Sequence, residues 1–204
     1  MAALLALALA IGHLNRLLRF WLRHHLPGGR SMFLDHLLFM LALKLLVFVP
    51  LGLLVLGPRG CGLAAPAPRR AGWLVGLASG LALVPAVAAA LALDHQLALQ
   101  LRFPVQELLG NVFSNFYEEL VNRGVILGLL LALLGRERPL ARWSALVLSS
   151  LVFCQGHLHY APASLALVFA AGLLWGVMTI RFASIWPAYV SHTVVDVFAS
   201  CLFP

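Results

Sequence analysis

An all-α, polytopic membrane bundle of about seven transmembrane helices is the fold this sequence predicts, and three observations predict it. First, the 204 residues are 62% hydrophobic and only 10% charged, with a mean hydropathy of +0.97, whereas a soluble domain carries roughly 25% charged residues. Second, the apolar residues fall in runs of about 20 separated by short polar breaks, the length of a helix crossing a bilayer rather than a barrel's alternating strand. Third, the net charge of +7 comes mostly from Arg placed in loops and at helix ends. That pattern implies positive-inside topology and contact with the lipid bilayer, not nucleic-acid binding. One integral membrane domain, residues 1–204, is expected. Lys44 is the only Lys and Ala, Gly and Leu abound; these residue types lean on GC-rich codons and point to a multi-pass protein of a bacterial inner membrane.

Taken in order, MAALLALALAIG is apolar but lacks a basic start, so it reads as the beginning of a first helix over residues 1–25, not a cleaved signal. The second half of that helix is amphipathic, with Arg16, Arg19, Arg23, His24 and His25 expected among the headgroups. Pro27-Gly28-Gly29 breaks it. A second span runs from about Leu34 to Leu56, with Asp35 and His36 near its start and Lys44, expected to snorkel, inside. The Pro/Gly-rich stretch 57–70 holds Arg59, Arg69 and Arg70 and reads as a loop. A third span covers about Ala71–Leu93, with a kink expected at Pro85. Residues 94–112 are mixed and fit the membrane interface. A fourth helix, Asn111–Leu134, ends at Gly135. Arg136, Arg138 and Arg142 follow it, and further spans are expected over about Trp143–Tyr160, Ala163–Ile180 and Ser184–Phe203. The Arg-rich loops 57–70 and 135–142 are two crossings apart and so share a side, expected to be cytoplasmic.

The chemistry-bearing residues are concentrated in the C-terminal half. The helix NVFSNFYEELVNRGVILGLLLALL (111–134) contains EExxxR, Glu118-Glu119 to Arg123. At 3.6 residues per turn, Asn111, Asn115, Glu118 and Asn122 form one stripe. Glu119 and Arg123 stand four apart on an adjoining face, where carboxylate and guanidinium can pair. An ionised group at mid-membrane costs about 2.5–3.5 kcal/mol, so the cluster demands a reason, and catalysis is the one favoured. The fifth span spells FxxxH, Phe153 to His157, followed by His159. The last spells HxxxD, placing His192 and Asp196 one turn apart. A lone His on an apolar helix is usually a satisfied core residue, but here three spans carry such groups together.

EExxxR at 118–123, FxxxH at 153–157 and HxxxD at 192–196 are similar to the three motifs of the CAAX-prenyl endopeptidase and bacteriocin-processing (CPBP, or Abi) family, and GLLWGVMTIRFASIWPAYVSHTVVD (172–196) resembles its spacing of small residues and His. The likeness covers a core of about 111–198. The resemblance implies an intramembrane endopeptidase of glutamic type, with an all-helical core around a water-filled cavity. It implies Glu118 as the base, His157 as its helper, and His192 with Asp196 as oxyanion stabilisers, with Glu119, Asn122 and Arg123 in support. Many relatives carry Asn at the position of Asp196.

The residues make chemical sense by themselves. A carboxylate in an apolar cavity can take a proton from water near neutral pH. An imidazole can share that water or protonate the leaving amine, and a second can donate to the oxyanion, a contact worth about 3–4 kcal/mol. An ionised Asp196 would repel that oxyanion, so it is expected to stay protonated or to orient His192 as triad carboxylates do. Cys154 lies about 60° from His157 on a helix and reads as a small core residue; His159 faces nearly away from His157. Trp143, Trp175 and Trp186 read as interface anchors. Cys61, Cys154 and Cys201 show no metal or disulfide spacing. Glu118, His157 and His192 could ligate zinc, but no HExxH helix supports it, so no cofactor is expected.

The function these expectations add up to is cleavage near the C-terminal part of a membrane-anchored or lipidated protein substrate, in the manner of a myxosortase-like sorting protease if the site faces outward. A metal-dependent hydrolase using the same residues, or a transporter or scaffold, are the competing classes. The matched inverted repeats of a transporter are not seen.

Overall fold

The computed structural model describes residues 49–63 and 70–203. The expected first helix, the Pro27-Gly28-Gly29 break and most of the second span, with Lys44, lie outside them. Among the described residues the chain forms six helices: α1 Val49–Gly60, α2 Arg70–Leu93, α3 from Val105 to Leu134, α4 Pro139–Gln155, α5 Pro162–Phe182 and α6 Trp186–Leu202. The seven crossings expected are therefore not all seen. By length and composition, α2 and α5 can cross a bilayer; at 1.5 Å per residue they span about 36 and 31 Å, against roughly 30 Å of hydrocarbon.

Boundaries differ from expectation where local chemistry is ambiguous. The second apolar run does not stop at Leu56: α1 continues to Gly60, broken at Gly57 and with Pro58 inside it. Helix α2 runs through Pro85 to Leu93. Helix α3 starts at Val105 rather than Asn111, with Pro104 at its N-cap. Residues 96–104 before it carry no regular secondary structure. Leu97, Leu99, Leu101 and Phe103 on this stretch are exposed.

This stretch is tied to the end of α6. The backbone N–H groups of Gln100 and Arg102 donate to Leu202 O and Cys201 O at 3.1 and 3.0 Å. The Arg102 guanidinium donates to Ser200 O at 2.9 Å. The last carbonyls of α6, which have no intrahelical partner, are thereby satisfied.

At its other end α6 is packed on α2 through glycine. A Cβ on Gly76 would stand 2.6 Å from Pro187 O, and one on Gly80 2.7 Å from Val194 Cβ. Only glycine lets the two backbones come this close, the small-residue contact that membrane helices use in place of a hydrophobic drive. Helix α6 also packs on α3 and α5, so the central helix carries His192 into the middle of the bundle.

Asp94, just past the end of α2, caps a helix 69 residues away. Its carboxylate accepts the N–H groups of Ala163 and Ser164 at 3.0 and 2.8 Å and the Ser164 hydroxyl at 2.6 Å, satisfying first-turn donors of α5. These bonds, the Ser164 hydroxyl foremost, hold the Asp94 carboxyl below the usual carboxylate range. A depressed folded-state value means stability that is present above the unfolded value of about 4 and is lost as pH falls through the folded one. Thermal melts of the wild type and Asp94→Ala in detergent should therefore differ at pH 7 and converge below about pH 4. An unchanged gap at pH 3 would show that the cap contributes nothing through its charge.

Candidate functional site

Helix α3 is not uniform. It begins as α-helix, Val105–Glu119, passes into a π-helical segment, Leu120–Leu127, and finishes as α-helix, Gly128–Leu134. The widened register starts directly after the two motif carboxylates. Such π segments are frequent at functional sites. The 3.6-residue stripe drawn through Asn122 does not hold across this change. Asn122 is buried, and its side-chain amide donates to the backbone carbonyl of Glu118 at 2.8 Å. Gly124 lies within the π segment, where a Cβ would meet Cys61 O at 2.8 Å; the loop after α1 therefore braces this turn backbone to backbone.

The neighbouring carboxylates have different environments. Glu119 is fully buried, whereas Glu118 is only partly so. Glu119 Oε2 pairs with Arg123 Nε at 3.4 Å, the i,i+4 pairing the sequence predicts. Its Oε1 accepts a hydrogen bond from His192 Nδ1 at 2.9 Å. On the far side of that ring, His192 Nε2 lies 3.5 Å from Asp196 Oδ2. The result is a continuous line, Arg123–Glu119–His192–Asp196, running from a sealed interior to a carboxylate about one-third exposed (35%).

Two carboxylates therefore flank the His192 ring: Asp196 from its own helix, at the one-turn spacing the sequence predicts, and Glu119 from α3, whose contact with the other ring nitrogen the sequence did not predict.

Aromatic rings enclose the line. The Arg123 guanidinium carbon sits 4.3 Å from the Phe153 ring centre and 5.5 Å from that of Trp175. Such ring faces compensate a desolvated cation. Its Nη2 donates to Gly172 O at 3.4 Å. Trp175 stacks on His192 at 4.0 Å and 21° between planes, and Phe153 meets the same imidazole edge-on at 5.9 Å. Trp175 is thus 3% exposed and part of the site, a correction to its reading as an interface anchor. Its indole N–H donates to Ser191 Oγ at 3.0 Å, and Ser191 is hydrogen-bonded to Ser79 Oγ on α2 at 3.0 Å. The signal in the sequence was the spacing of Gly172, Trp175, Gly176 and Thr179, one helical face of α5, all buried. Trp143 is exposed, and Trp186 packs on Phe116 at 5.5 Å.

Around this line lie the remaining motif residues. Asn115 is 2% exposed and lies beside the Asp196 carboxyl. Asn111 donates to Ser200 Oγ at 2.9 Å and so ties α3 to α6. Glu118 interacts electrostatically with Arg123, His192 and Asp196, and with the Tyr160 phenol.

His157 sits past the end of α4, in a turn, where its Nδ1 is 3.1 Å from Phe153 O. A carbonyl only accepts, so Nδ1 carries the hydrogen and the neutral ring keeps its lone pair at Nε2. Because α4 ends at Gln155, the turn also brings His159 round: its ring lies parallel to His157 at 6.4 Å and packs on Tyr160 at 4.5 Å. The expectation that His159 faces away assumed a helix that has already ended. Cys154 is buried and free.

The three motifs therefore meet. His192, Asp196, Glu119 and Arg123 are in direct contact, Glu118 lies within electrostatic range, and His157 joins through Phe153, whose ring is 4.7 Å from it. Among the described residues no three His, Cys, Asp or Glu side chains are placed to share a metal ion.

Residues 100–198 match the sequence model of a protein family described as Rce1-like, type II CAAX prenyl endopeptidase Rce1-like. The matched stretch begins in the segment before α3 and ends in α6, so it encloses all three motifs. No curated protein and no solved structure matches the chain.

Proposed function

We propose, for a chain that belongs to the CPBP family of CAAX-prenyl-endopeptidase-like membrane proteases, that it is an intramembrane endopeptidase of glutamic type. It is read as a multi-pass protein of a bacterial inner membrane. Its substrate is a membrane-tethered or lipidated protein, cut near its C-terminal part. The observation that carries this reading is the inequality of the paired carboxylates: Glu119 is sealed and committed to Arg123 and His192, while Glu118 is accessible beside them.

Glu118 takes a proton from water as the water oxygen adds to the scissile carbonyl. The oxyanion that forms needs donors already in place. His192 keeps one proton at Nδ1 on Glu119. Donation from Nε2 as well requires the doubly protonated ring, whose charge the carboxylates of Glu119 and Asp196 balance on either side. Asp196 stands beside the same Nε2 and donates to the oxyanion only in its protonated form. His157, with its lone pair at Nε2, relays a proton to the amine as the C–N bond breaks. Tyr160, near both Glu118 and Asp196, lines the same water-accessible side.

The arginines support an orientation. Arg59 and Arg136 line one cavity together with the end of α5, so the two basic loops share one end of the bundle, as their spacing predicts. With that end cytoplasmic, the site opens toward the outer half of the membrane. An outward site suits a myxosortase-like sorting protease for C-terminal tails better than a processor of prenylated cytoplasmic tails.

The test is cleavage of candidate C-terminal tail peptides by the full chain in lipid vesicles, read by mass spectrometry. The wild type should release product with or without chelator, and His192→Ala should not. Chelator inhibition reversed by zinc would replace this reading with metal-dependent hydrolysis. Full activity in His192→Ala would remove His192 from the reaction.

A further inference from the structure

We infer that the chain binds a phosphate-type anion at the basic end of the bundle, in a cavity of about 40 Å³ that shares only Arg123 with the candidate peptidase site. The cavity lies between the loop after α1, the second half of α3 and the end of α5. Its walls include Arg59, Arg123 and Arg136, with Gly60, Gly62 and Thr179. Three arginines from three different segments thus line a space large enough for a small polyatomic ion but not for a peptide.

The charge there is unbalanced. Among the described residues Arg123 pairs with Glu119, and neither Arg59 nor Arg136 pairs with any carboxylate. Arg123 is 2% exposed, yet its Nη1 is buried with no hydrogen-bond partner. A buried charged donor left unsatisfied is costly, and an anion in the cavity supplies the missing acceptor. Guanidinium forks match phosphate oxygens in both geometry and charge.

The wall opposite is built to stay narrow and fixed. Gly62 has a φ of 70°, a conformation open to glycine, and a Cβ there would meet Ile185 N at 3.1 Å. The loop is held by Gly62 N donating to Arg59 O at 3.1 Å and Leu63 N to Pro58 O at 2.9 Å. Arg59 is therefore presented from a braced turn. The ligand would touch the same guanidinium whose other edge holds Glu119.

The phosphate can come from solution or from an anionic lipid headgroup, and the experiment separates them. Purified full chain in zwitterionic detergent is titrated with inorganic phosphate by calorimetry. In parallel, retention of phosphatidylglycerol against phosphatidylcholine is read by native mass spectrometry. The variant is Arg59→Gln with Arg136→Gln; both side chains are exposed, and an unchanged melting curve checks that it folds.

One saturable site is expected, with binding weakened by about tenfold or more in the variant. Binding of inorganic phosphate would identify a free anion, and retention of phosphatidylglycerol alone would identify a headgroup site. Failure of both probes to bind, or equal binding by the variant, would overturn the inference. Neither readout involves peptide cleavage, so the result is independent of the proposed protease activity.

Discussion

Glu118→Gln should lower the rate of tail-peptide cleavage by about 10²–10⁴-fold, the usual contribution of a positioned general base, while leaving the melting curve close to that of the wild type. The split between activity and stability is the informative part. Glu118 is partly accessible, and its neutral amide replacement keeps the side chain's shape and removes only the proton acceptor. Single-turnover cleavage with excess enzyme, alongside a thermal melt, reads both quantities. Retained cleavage would reject Glu118 as the base. A large loss of stability would instead mark its carboxylate as part of the bundle's charge network.

Glu119→Ala should do the opposite first: it should destabilise the fold, and lose activity with it. Both partners of the Glu119–Arg123 pair are sealed, at 0% and 1% side-chain exposure. Removing one leaves a buried guanidinium uncompensated, which typically costs about 3–5 kcal/mol. It also frees His192 Nδ1 from its 2.9 Å acceptor. The double variant Glu119→Gln with Arg123→Met separates these effects. Without a buried charge it should recover much of the melting temperature, since apolar replacement of a buried pair is often neutral or stabilising. It should remain inactive, because a neutral Gln does not balance a doubly protonated His192. Recovery of activity together with stability would show that Glu119 serves only as a counter-ion for Arg123.

These expectations rest on features of unequal visibility in the sequence. The all-helical class was legible because apolar runs of helical length are written directly in residue order. So was the Glu119–Arg123 pair, since two residues four apart on one helix meet whatever the rest of the chain does. The meeting of EExxxR, FxxxH and HxxxD was legible only as a joint pattern, through family resemblance and the cost of charges in an apolar medium.

Other features were not readable. Helix α3 was expected to keep a 3.6 period, and the π segment at Leu120–Leu127 breaks it. Its register is braced by a loop at Cys61, more than sixty positions away along the chain. His159 was expected on the far face because the helix was extended past Gln155. Trp175 was taken for an interface anchor because its residue type is common there; its stacking on His192 depends on how α5 lies against α6.

By itself, then, residue order determined what is local: which stretches are helical, which charged side chains stand a turn apart, and that so many ionisable groups in an apolar chain require a shared purpose. Tertiary structure alone decided which of the paired carboxylates on α3 reaches His192. Glu118 and Glu119 are neighbours of one residue type, and nothing in their order distinguishes them. The packing of α3 against α6 buries one on Arg123 and His192 and leaves the other partly exposed, a difference in solvation that residue order does not encode.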